Sequence, residues 1–201
     1  MNKLLIATRN AGKQAEFRSL LNGAGFEIVF PDDVGLKRQP AEDRLERFDS
    51  FEENARAKAA WFAALSGLDT LADDSGLEVV ALDGAPGVKS KRFAGTTGDE
   101  DAVSFANNRL VMSRLATLDP SDRSARFQCV LVLRRRDGSE VVARGESAGR
   151  IVDVARGDGG FGYDPIFYSE DLRMTFGEAS QRGKDAVSHR GRAAAALRRQ
   201  L

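Results

Sequence analysis

Two apolar stretches on either side of a tight turn constrain the fold of this chain more than any other feature. Residues Ala125–Leu133 and Glu140–Arg144 flank the dipeptide Asp137-Gly138. Asp-Gly is favoured in two-residue hairpin turns because both central residues of such a turn need positive φ angles. The pattern therefore predicts a central β-hairpin.

Shorter apolar runs and helical periodicity place other elements around this hairpin. The runs predict strands at Leu4–Ala7, Glu27–Phe30, Thr70–Ala72 and Val79–Leu82. The periodicity predicts helices at Lys13–Leu21, Phe51–Leu65, Asp99–Leu118 and Arg190–Leu201. The charged stretch Lys37–Arg47 is expected to be a mobile loop. Because no long linker divides the chain, we expect one domain over residues 1–201, of the α/β or α+β class with a mixed sheet.

Charge and cysteine content exclude several classes of function. Lys plus Arg and Asp plus Glu each number 30, so the chain lacks the basic excess typical of nucleic-acid coat proteins and membrane-surface binders. No apolar run approaches the ~20 residues of a membrane-spanning helix. The single cysteine, Cys129, cannot form an internal disulfide. A reducing compartment, the cytoplasm, is therefore expected.

Two adjacent carboxylates follow an apolar strand at Asp73-Asp74-Ser75-Gly76, which we interpret as a turn. Acidic residues at the carboxyl end of a buried strand face the crevice where α/β proteins bind ligands. Two carboxylates there can hold Mg²⁺, and one of them could orient or deprotonate an attacking water. The alternative is an Asx turn that only caps the strand.

The segment Thr8–Lys13 lies between a predicted strand and a predicted helix, where helix N-terminal N–H groups favour an anion. A hydroxyl, an amide and a lysine within six residues suit a triphosphate. The P-loop pattern is absent, so a polar strand-to-helix turn with an N-cap remains the alternative.

Two later segments could contact a nucleotide. Gly159–Pro165 places Phe161 and Tyr163 among glycines, which allow a flat base to approach and stack. Lys184 and Ser188-His189-Arg190-Gly191 form a cationic cluster suited to phosphate. The alternatives are a turn whose aromatic rings fill the core and a capping serine with solvated charges.

These pieces, in this order, resemble the inosine/xanthosine triphosphate pyrophosphatase family. The resemblance runs from Lys3 to about Ala196. Its motifs are Thr8–Lys13 (T-x-N-x-x-K), Phe51–Ala59 (F-x-E-N-A-x-x-K-A), Ala72–Gly76 (A-D-D-S-G), Gly84–Gly95 (G-A-P-G-x-x-S-x-R-F-A-G), Ala125–Cys129 (A-R-F-x-C), Gly160–Phe167 (G-F-G-Y-D-P-I-F) and Ser188–Ala193 (S-H-R-G-x-A). Each motif is weak alone, but the ordered set is specific.

The resemblance implies a long curved mixed sheet with flanking helices, forming two lobes around a central nucleotide cleft. It implies hydrolysis of the purine triphosphates ITP, dITP and XTP to the monophosphate and pyrophosphate. It also implies Mg²⁺ as cofactor and a homodimer. The balanced charge described above leads us to expect no nucleic-acid and no membrane partner.

The resemblance assigns a role to each matching residue. Asp74 corresponds to the catalytic and metal-binding acid, which Asp73 supports, and Arg92 could reach the cleft. The substrate-binding residues it implies are Thr8, Arg9, Asn10, Ala11, Gly12, Lys13, Ser75, Phe161, Gly162, Tyr163, Asp164, Lys184, His189 and Arg190. The chain departs from the family where Glu-Glu-Thr-Gly often precedes the F-x-E-N-A helix. Counting back from Phe51 makes Glu46 the second metal ligand, with Glu42 as the alternative.

Two other functions stay open at this point. One is a septum-inhibitor-type nucleotide pyrophosphatase with a different base preference. The other is a nucleotide-binding or RNA-binding module without turnover, for which Arg134–Arg136 and Arg198-Arg199 would form the basic contact surface. Zero net charge and the acidic segment argue against the second.

Overall fold

A computed structural model describes residues 2–201, in which seven strands form an open mixed sheet and five α-helices accompany it. The strands are β1 (Asn2–Ile6), β2 (Phe26–Val29), β3 (Asp69–Val79), β4 (Ser124–Arg134), β5 (Glu140–Ile151), β6 (Phe167–Ser169) and β7 (Met174–Thr175). The helices are α1 (Ala11–Leu20), α2 (Phe51–Ser66), α3 (Glu100–Arg114), α4 (Gln181–Val187) and α5 (His189–Arg198). The predicted mixed α/β class is confirmed.

The strand order in the sheet is β2-β1-β3-β4-β5-β6-β7. β1 pairs in parallel with β2 and with β3, whereas β6 pairs antiparallel with β5 and with β7. The predicted hairpin is present as β4 and β5, with an Arg135 N–H that donates to Ser139 O at 2.9 Å in the turn. No helix within residues 2–201 is both long and apolar enough to cross a membrane.

The chain divides into two compact units, each with its own core. The first unit comprises residues 2–74, Cys129–Gly145 and Arg190–Leu201, and the second comprises Ser75–Gln128 and Glu146–His189.

The core of the first unit forms where helices cover strands that are buried on both faces. Leu4 and Ile6 of β1 and Leu71 of β3 pack with Phe17 of α1 and Leu197 of α5, and each is at most 1% exposed. The near-continuous apolar run of β1 is typical of a parallel strand buried on both faces.

The core of the second unit is rich in aromatic rings. Phe127 of β4 lies 4.7 Å from Phe167 and 6.0 Å from Phe176, measured between ring centroids. Val111 and Leu115, fully buried, belong to the same cluster. Each buried side chain of this size contributes roughly 1.5–3 kcal/mol relative to an exposed one.

Two sequence predictions about β3 are wrong. Asp73-Asp74-Ser75-Gly76 is not a turn, since β3 runs without interruption from Asp69 to Val79. The expected strand Val79–Leu82 is a single 3-10 turn after its first residue. Asp83 ends that turn with a φ of 52°, a left-handed conformation that stops an extended strand.

Other boundaries also differ from the sequence prediction. The charged stretch Lys37–Arg47 contains a 3-10 helix, Pro40–Arg44, where an irregular loop was expected. α3 ends at Arg114 and not at Leu118, and β5 extends to Ile151. β6, β7 and α4 were not predicted, because two- to seven-residue elements carry too little periodicity to be recognised.

Gly149 of β5 lies against β6 so closely that a methyl group has no room. A Cβ there would lie 2.2 Å from Tyr168 O and 2.6 Å from Phe167 Cζ. We expect Gly149→Ala to lower the free energy of unfolding by about 2–3 kcal/mol, because the backbone oxygen cannot move aside cheaply. Urea unfolding measures it, with Ala148→Ser at an exposed position of the same strand as the control. Equal midpoints for Gly149→Ala and wild type would contradict this packing.

Candidate active site

Two buried aspartates on β3 form the centre of the candidate site. Asp73 is 1% exposed and Asp74 is 5% exposed. Because successive side chains of a strand point to opposite faces, the two carboxylates contact different elements. A buried carboxylate is stable only with cations or hydrogen-bond donors around it, so the partners of each aspartate define its role.

Asp73 is neutralised by cations from two helices. Lys13 Nζ of α1 lies 2.9 Å from Asp73 Oδ2, and Arg190 Nη2 of α5 lies 3.1 Å from the same oxygen. Arg190 also pairs with Glu16 of α1. Burial opposes ionisation of Asp73, but Lys13, Arg190 and Lys58 outweigh it and hold the pKa of Asp73 well below its usual range. Asp73 is therefore a permanently charged anchor and is unsuited to proton transfer.

Asp74 has a different environment. Asn54 Nδ2 of α2 donates to Asp74 Oδ2 at 2.9 Å. Burial raises the pKa of Asp74 to about 6, with the Glu46 carboxylate adding to the rise and the Lys58 ammonium opposing it. A carboxylate with a pKa near 6 is still mostly ionised at pH 7 and is a stronger base than an ordinary aspartate.

Lys58 of α2 links this pair to Glu46. Lys58 Nζ lies 2.5 Å from Glu46 Oε1. Burial lowers the pKa of Lys58, but Glu46, Asp73 and Asp74 outweigh that effect and raise it. The Lys58 and Lys13 charges in turn lower the pKa of Glu46 to about 2 despite its partial burial. Glu46 is thus a carboxylate that stays ionised within the electrostatic reach of Asp74.

The loop before α1 is held by hydrogen bonds among its own polar groups and the first turn of the helix. Asn10 is the N-cap of α1, and its side-chain oxygen accepts from Lys13 N–H at 2.8 Å. Asn10 N–H donates to Thr8 Oγ1 at 3.3 Å, and Gln14 Nε2 donates to Thr8 O at 3.2 Å. This polar loop enters the N-terminus of a ten-residue helix, where N–H groups and the helix dipole favour negative charge.

Arg9 in the same loop already contacts three acceptors. Its guanidinium donates to both carboxylate oxygens of Glu42, at 2.8 and 3.0 Å. It also donates to Asp32 Oδ1 at 2.5 Å and to Leu36 O at 2.7 Å. Glu42, the alternative second metal ligand, therefore faces Arg9, whereas the Glu46 carboxylate helps to raise the pKa of Asp74.

In the second unit, the Gly160–Asp164 segment is held by a buried ion pair. Lys184 Nζ of α4 lies 2.5 Å from Asp164 Oδ2, and both side chains are 3% exposed. Asp164 Oδ2 also accepts from Phe161 N–H at 2.8 Å, and Lys184 Nζ lies 5.0 Å from the centre of the Phe161 ring. These contacts fix Phe161 next to a buried cation.

Other predicted residues have structural partners. The Tyr163 hydroxyl donates to Ser90 O at 2.8 Å, and its ring belongs to the core of the second unit. The His189 ring stacks on Phe127, with centroids 4.6 Å apart. Arg190 is 2% exposed between Asp73 and Glu16. Gly162 O accepts from Asn108 Nδ2 at 3.1 Å, and Ser75, which follows Asp74 in β3, is half-buried.

Sequence reasoning gave no site role to Glu16, Asn54 or Lys58. Asn54 and Lys58 are four residues apart on α2 and share its buried face with Phe51, Ala55 and Ala59. Polar side chains on an otherwise apolar stripe are the informative exception to hydrophobic burial, and this signal was present in the sequence.

The donor set fits a hard divalent cation only together with substrate. Within residues 2–201, no three His, Cys, Asp or Glu side chains come together as a ready-made metal cage. Mg²⁺ does not require one, because it is commonly bound through one or two carboxylates plus substrate phosphates. Asp74 and Glu46 are two carboxylates of the kind that could bind a metal in this way, and Lys58 stabilises the charge of both.

Fold and site together define a protein of the α/β class with buried acids beside a helix N-terminus. Residues 4–200 match the model of the Ham1 family, and the chain belongs to this family. The family resemblance predicted from the ordered motifs is confirmed.

Individual relatives match almost end to end. The dITP/XTP pyrophosphatase of Thioalkalivibrio sulfidiphilus is 46% identical over 193 residues, covering 95% of this chain and 94% of that protein. The dITP/XTP pyrophosphatase of Geobacter sulfurreducens is 42% identical over 201 residues, covering 100% and 97%. The structure of a HAM1 protein from Coxiella burnetii superposes with a TM-score of 0.84 at 35% identity, covering 100% of this chain and 98% of that one.

Removing the cation shared by two buried carboxylates should destabilise the first unit. We expect Arg190→Met to lower the free energy of unfolding by about 3–5 kcal/mol, because Asp73 and Glu16 would keep buried charge with less compensation. Urea unfolding at pH 7 measures this loss, with the exposed Arg199→Met as the matched control. A loss no larger than that of the control would show that Arg190 does not stabilise these acids.

Proposed function

We propose that this protein hydrolyses non-standard purine nucleoside triphosphates, namely ITP, dITP and XTP, to the monophosphate and pyrophosphate. The observation that carries the proposal is the buried Asp74, which has a raised pKa and lies among Asn54, Lys58 and Glu46. The substrate class comes from the full-length relatives named dITP/XTP pyrophosphatase. The proposed enzyme class is a hydrolase of the bond between the α- and β-phosphates.

The phosphate end of the substrate is proposed to bind at the Thr8–Lys13 loop. The N–H groups of Ala11 and Gly12 begin α1, and the first N–H groups of a helix have no partner within it, whereas the Lys13 N–H donates to the Asn10 side chain. Lys13 adds a positive charge that is now shared with Asp73. Ser75 is proposed to contact the substrate beside Asp74. These groups would neutralise and orient the triphosphate. Such positioning and charge stabilisation supply most of the catalysis in phosphoryl transfer.

In the proposed reaction, a water oxygen forms a bond to the α-phosphorus and the bond from that phosphorus to the bridging oxygen breaks. Pyrophosphate leaves, and Asp74 is proposed to accept the proton of the water. Asn54 fixes the orientation of the Asp74 carboxylate. Asp73 holds Lys13 in place and does not take up a proton.

We propose Mg²⁺ as the cofactor, with Asp74 and Glu46 as its protein ligands. When bound, Mg²⁺ would neutralise phosphate charge and lower the pKa of a coordinated water.

We further propose a homodimer, as the family resemblance implies, and a cytoplasmic location, where the nucleotide pool would supply the substrate. Light scattering would check the dimer, which requires about twice the chain mass of 21.8 kDa.

Base recognition is proposed for the Phe161–Asp164 segment with Lys184 and His189. Lys184 beside Phe161 offers a cation and an aromatic face. Donors directed at a 6-oxo group would accept hypoxanthine and xanthine, whereas the 6-amino group of adenine would leave a buried donor unpaired, at a large cost. Guanine shares the 6-oxo group, so its rejection must depend on the 2-position.

Arg190 is proposed to support Asp73, and Tyr163 to support the Phe161–Asp164 segment through its hydrogen bond to Ser90 O.

The product pattern tests the reaction. With Mg²⁺ and ITP, we expect IMP and pyrophosphate in equal amounts, resolved by chromatography and a pyrophosphate assay. XTP and dITP should react similarly, and ATP, GTP and pyrimidine triphosphates much more slowly. Release of orthophosphate and IDP would contradict attack at the α-phosphorus. Preference for a pyrimidine triphosphate would point to the septum-inhibitor type, and tight ITP binding without turnover would indicate a binding module.

The role of Asp74 is tested by Asp74→Asn. This change keeps the size of the side chain but removes the base, so we expect turnover of ITP to fall by about 10²–10⁴-fold with the fold intact. Steady-state kinetics and urea unfolding measure the two effects separately. Asp101→Asn, the same change at an exposed position of α3, serves as the control. Near-normal turnover by Asp74→Asn would refute its assignment as the base.

A further inference from the structure

Arg9 makes a two-pronged contact that ties the loop before α1 to the segment carrying Glu46. Its Nε and Nη2 atoms donate to the two oxygens of Glu42 at 2.8 and 3.0 Å, and both side chains are largely buried, at 18% and 11% exposure. The guanidinium has five N–H donors, and it makes four hydrogen bonds to residues 32–42. Paired, parallel bonds of this kind fix geometry as well as charge.

Glu42 also organises its own segment. Its Oε1 accepts from Gln39 N–H at 3.0 Å, which closes a capping box at the start of the Pro40–Arg44 3-10 helix. The Glu42 carbonyl accepts from Leu45 N–H at 3.2 Å at the end of the same helix. One residue therefore connects both ends of the turn to Arg9, and Glu46 follows directly.

The other end of the segment is fixed by α2. Asn54 accepts from Phe48 N–H at 2.9 Å and donates to Phe48 O at 3.2 Å, and the same amide holds Asp74. Glu46 thus lies between two attachment points, Glu42 on one side and Phe48 on the other. Asn54 fixes only the Phe48 end. The place of the Glu46 side chain therefore depends on the contact between Glu42 and Arg9 as well.

We propose that Arg9 is a positioning residue whose contact with Glu42 clamps residues 40–48 and thereby sets the place of Glu46 beside Asp74 and Lys58. The proposal rests on the proposed function, which makes Glu46 a ligand of the metal. It gives Arg9 a role different from that of the phosphate ligand implied by the sequence resemblance. Glu42 becomes the partner of the clamp and not an alternative metal ligand.

The geometry favours this role over a phosphate contact. A phosphate would have to displace a bidentate carboxylate and a backbone carbonyl from the guanidinium. The exposed Asp32, with 73% of its side chain accessible, is the weakest of the acceptors and holds Arg9 least. The pair with Glu42 is less accessible to water and is screened less.

A double-mutant cycle with Arg9→Gln, Glu42→Gln and the combined variant tests the clamp. Hydrogen exchange of the protein without nucleotide or metal should show faster exchange at residues 40–48 in all three variants, to a similar degree. The Mg²⁺ concentration for half-maximal ITP turnover should rise about 10-fold in each single variant and no further in the combined one. KM for ITP at saturating Mg²⁺ should change less than about twofold.

Two further variants serve as controls for the double-mutant cycle. Arg9→Lys keeps the positive charge but cannot donate two parallel hydrogen bonds to the Glu42 carboxylate, so it should behave like Arg9→Gln. Asp43→Asn removes the exposed Arg38–Asp43 pair in the same segment and should leave exchange and Mg²⁺ dependence unchanged.

Three outcomes would overturn the proposal. The first is unchanged exchange at residues 40–48 in Arg9→Gln and Glu42→Gln. The second is a raised KM for ITP in Arg9→Gln with Glu42→Gln normal, which identifies Arg9 as a phosphate ligand. The third is additive effects in the combined variant. If wild-type protein hydrolyses no triphosphate, the proposed function fails, and the exchange measurement still decides whether Arg9 and Glu42 form the clamp.

Discussion

Two adjacent carboxylates buried on one strand are the constraint on which the rest of the site depends. Leaving a carboxylate in the interior of a protein is costly unless cations and donors surround it. Asp73 and Asp74 meet this requirement in different ways, Asp73 through Lys13 and Arg190 and Asp74 through the Asn54 amide. The difference between their partners separates a fixed anion from a group able to take up a proton.

The same requirement ties the elements of the first unit to β3. α1 contributes Lys13 and Glu16, α5 contributes Arg190, and α2 contributes Asn54 and Lys58. Buried polar networks of this kind are valuable only when each member is satisfied, so a change at one position is felt at the others. The charge network therefore stabilises the unit and sets the pKa of Asp74 at the same time.

Particular residues show how far sequence reasoning reaches. The hairpin and α2 were predicted because turn chemistry and helical periodicity are local. The acidic segment was misread as a turn, because polar residues usually end a strand and only the burial of Asp73 and Asp74 reveals that they continue one. Counting preferred Glu46 and kept Glu42 as the alternative, but it could not show their partners. Glu42 pairs with Arg9 and Glu46 with Lys58, which lie 33 and 12 residues away in the chain.

The sequence by itself determined the family and the mixed α/β class, because these depend on ordered motifs and on local patterns. Only the tertiary structure decided what each charge does. It paired Arg190 with Asp73 and Glu16, Arg9 with Glu42, and Lys184 with Asp164. A charged side chain looks the same in every sequence, but its pKa and its freedom to bind a ligand follow from the partners and the burial that folding gives it.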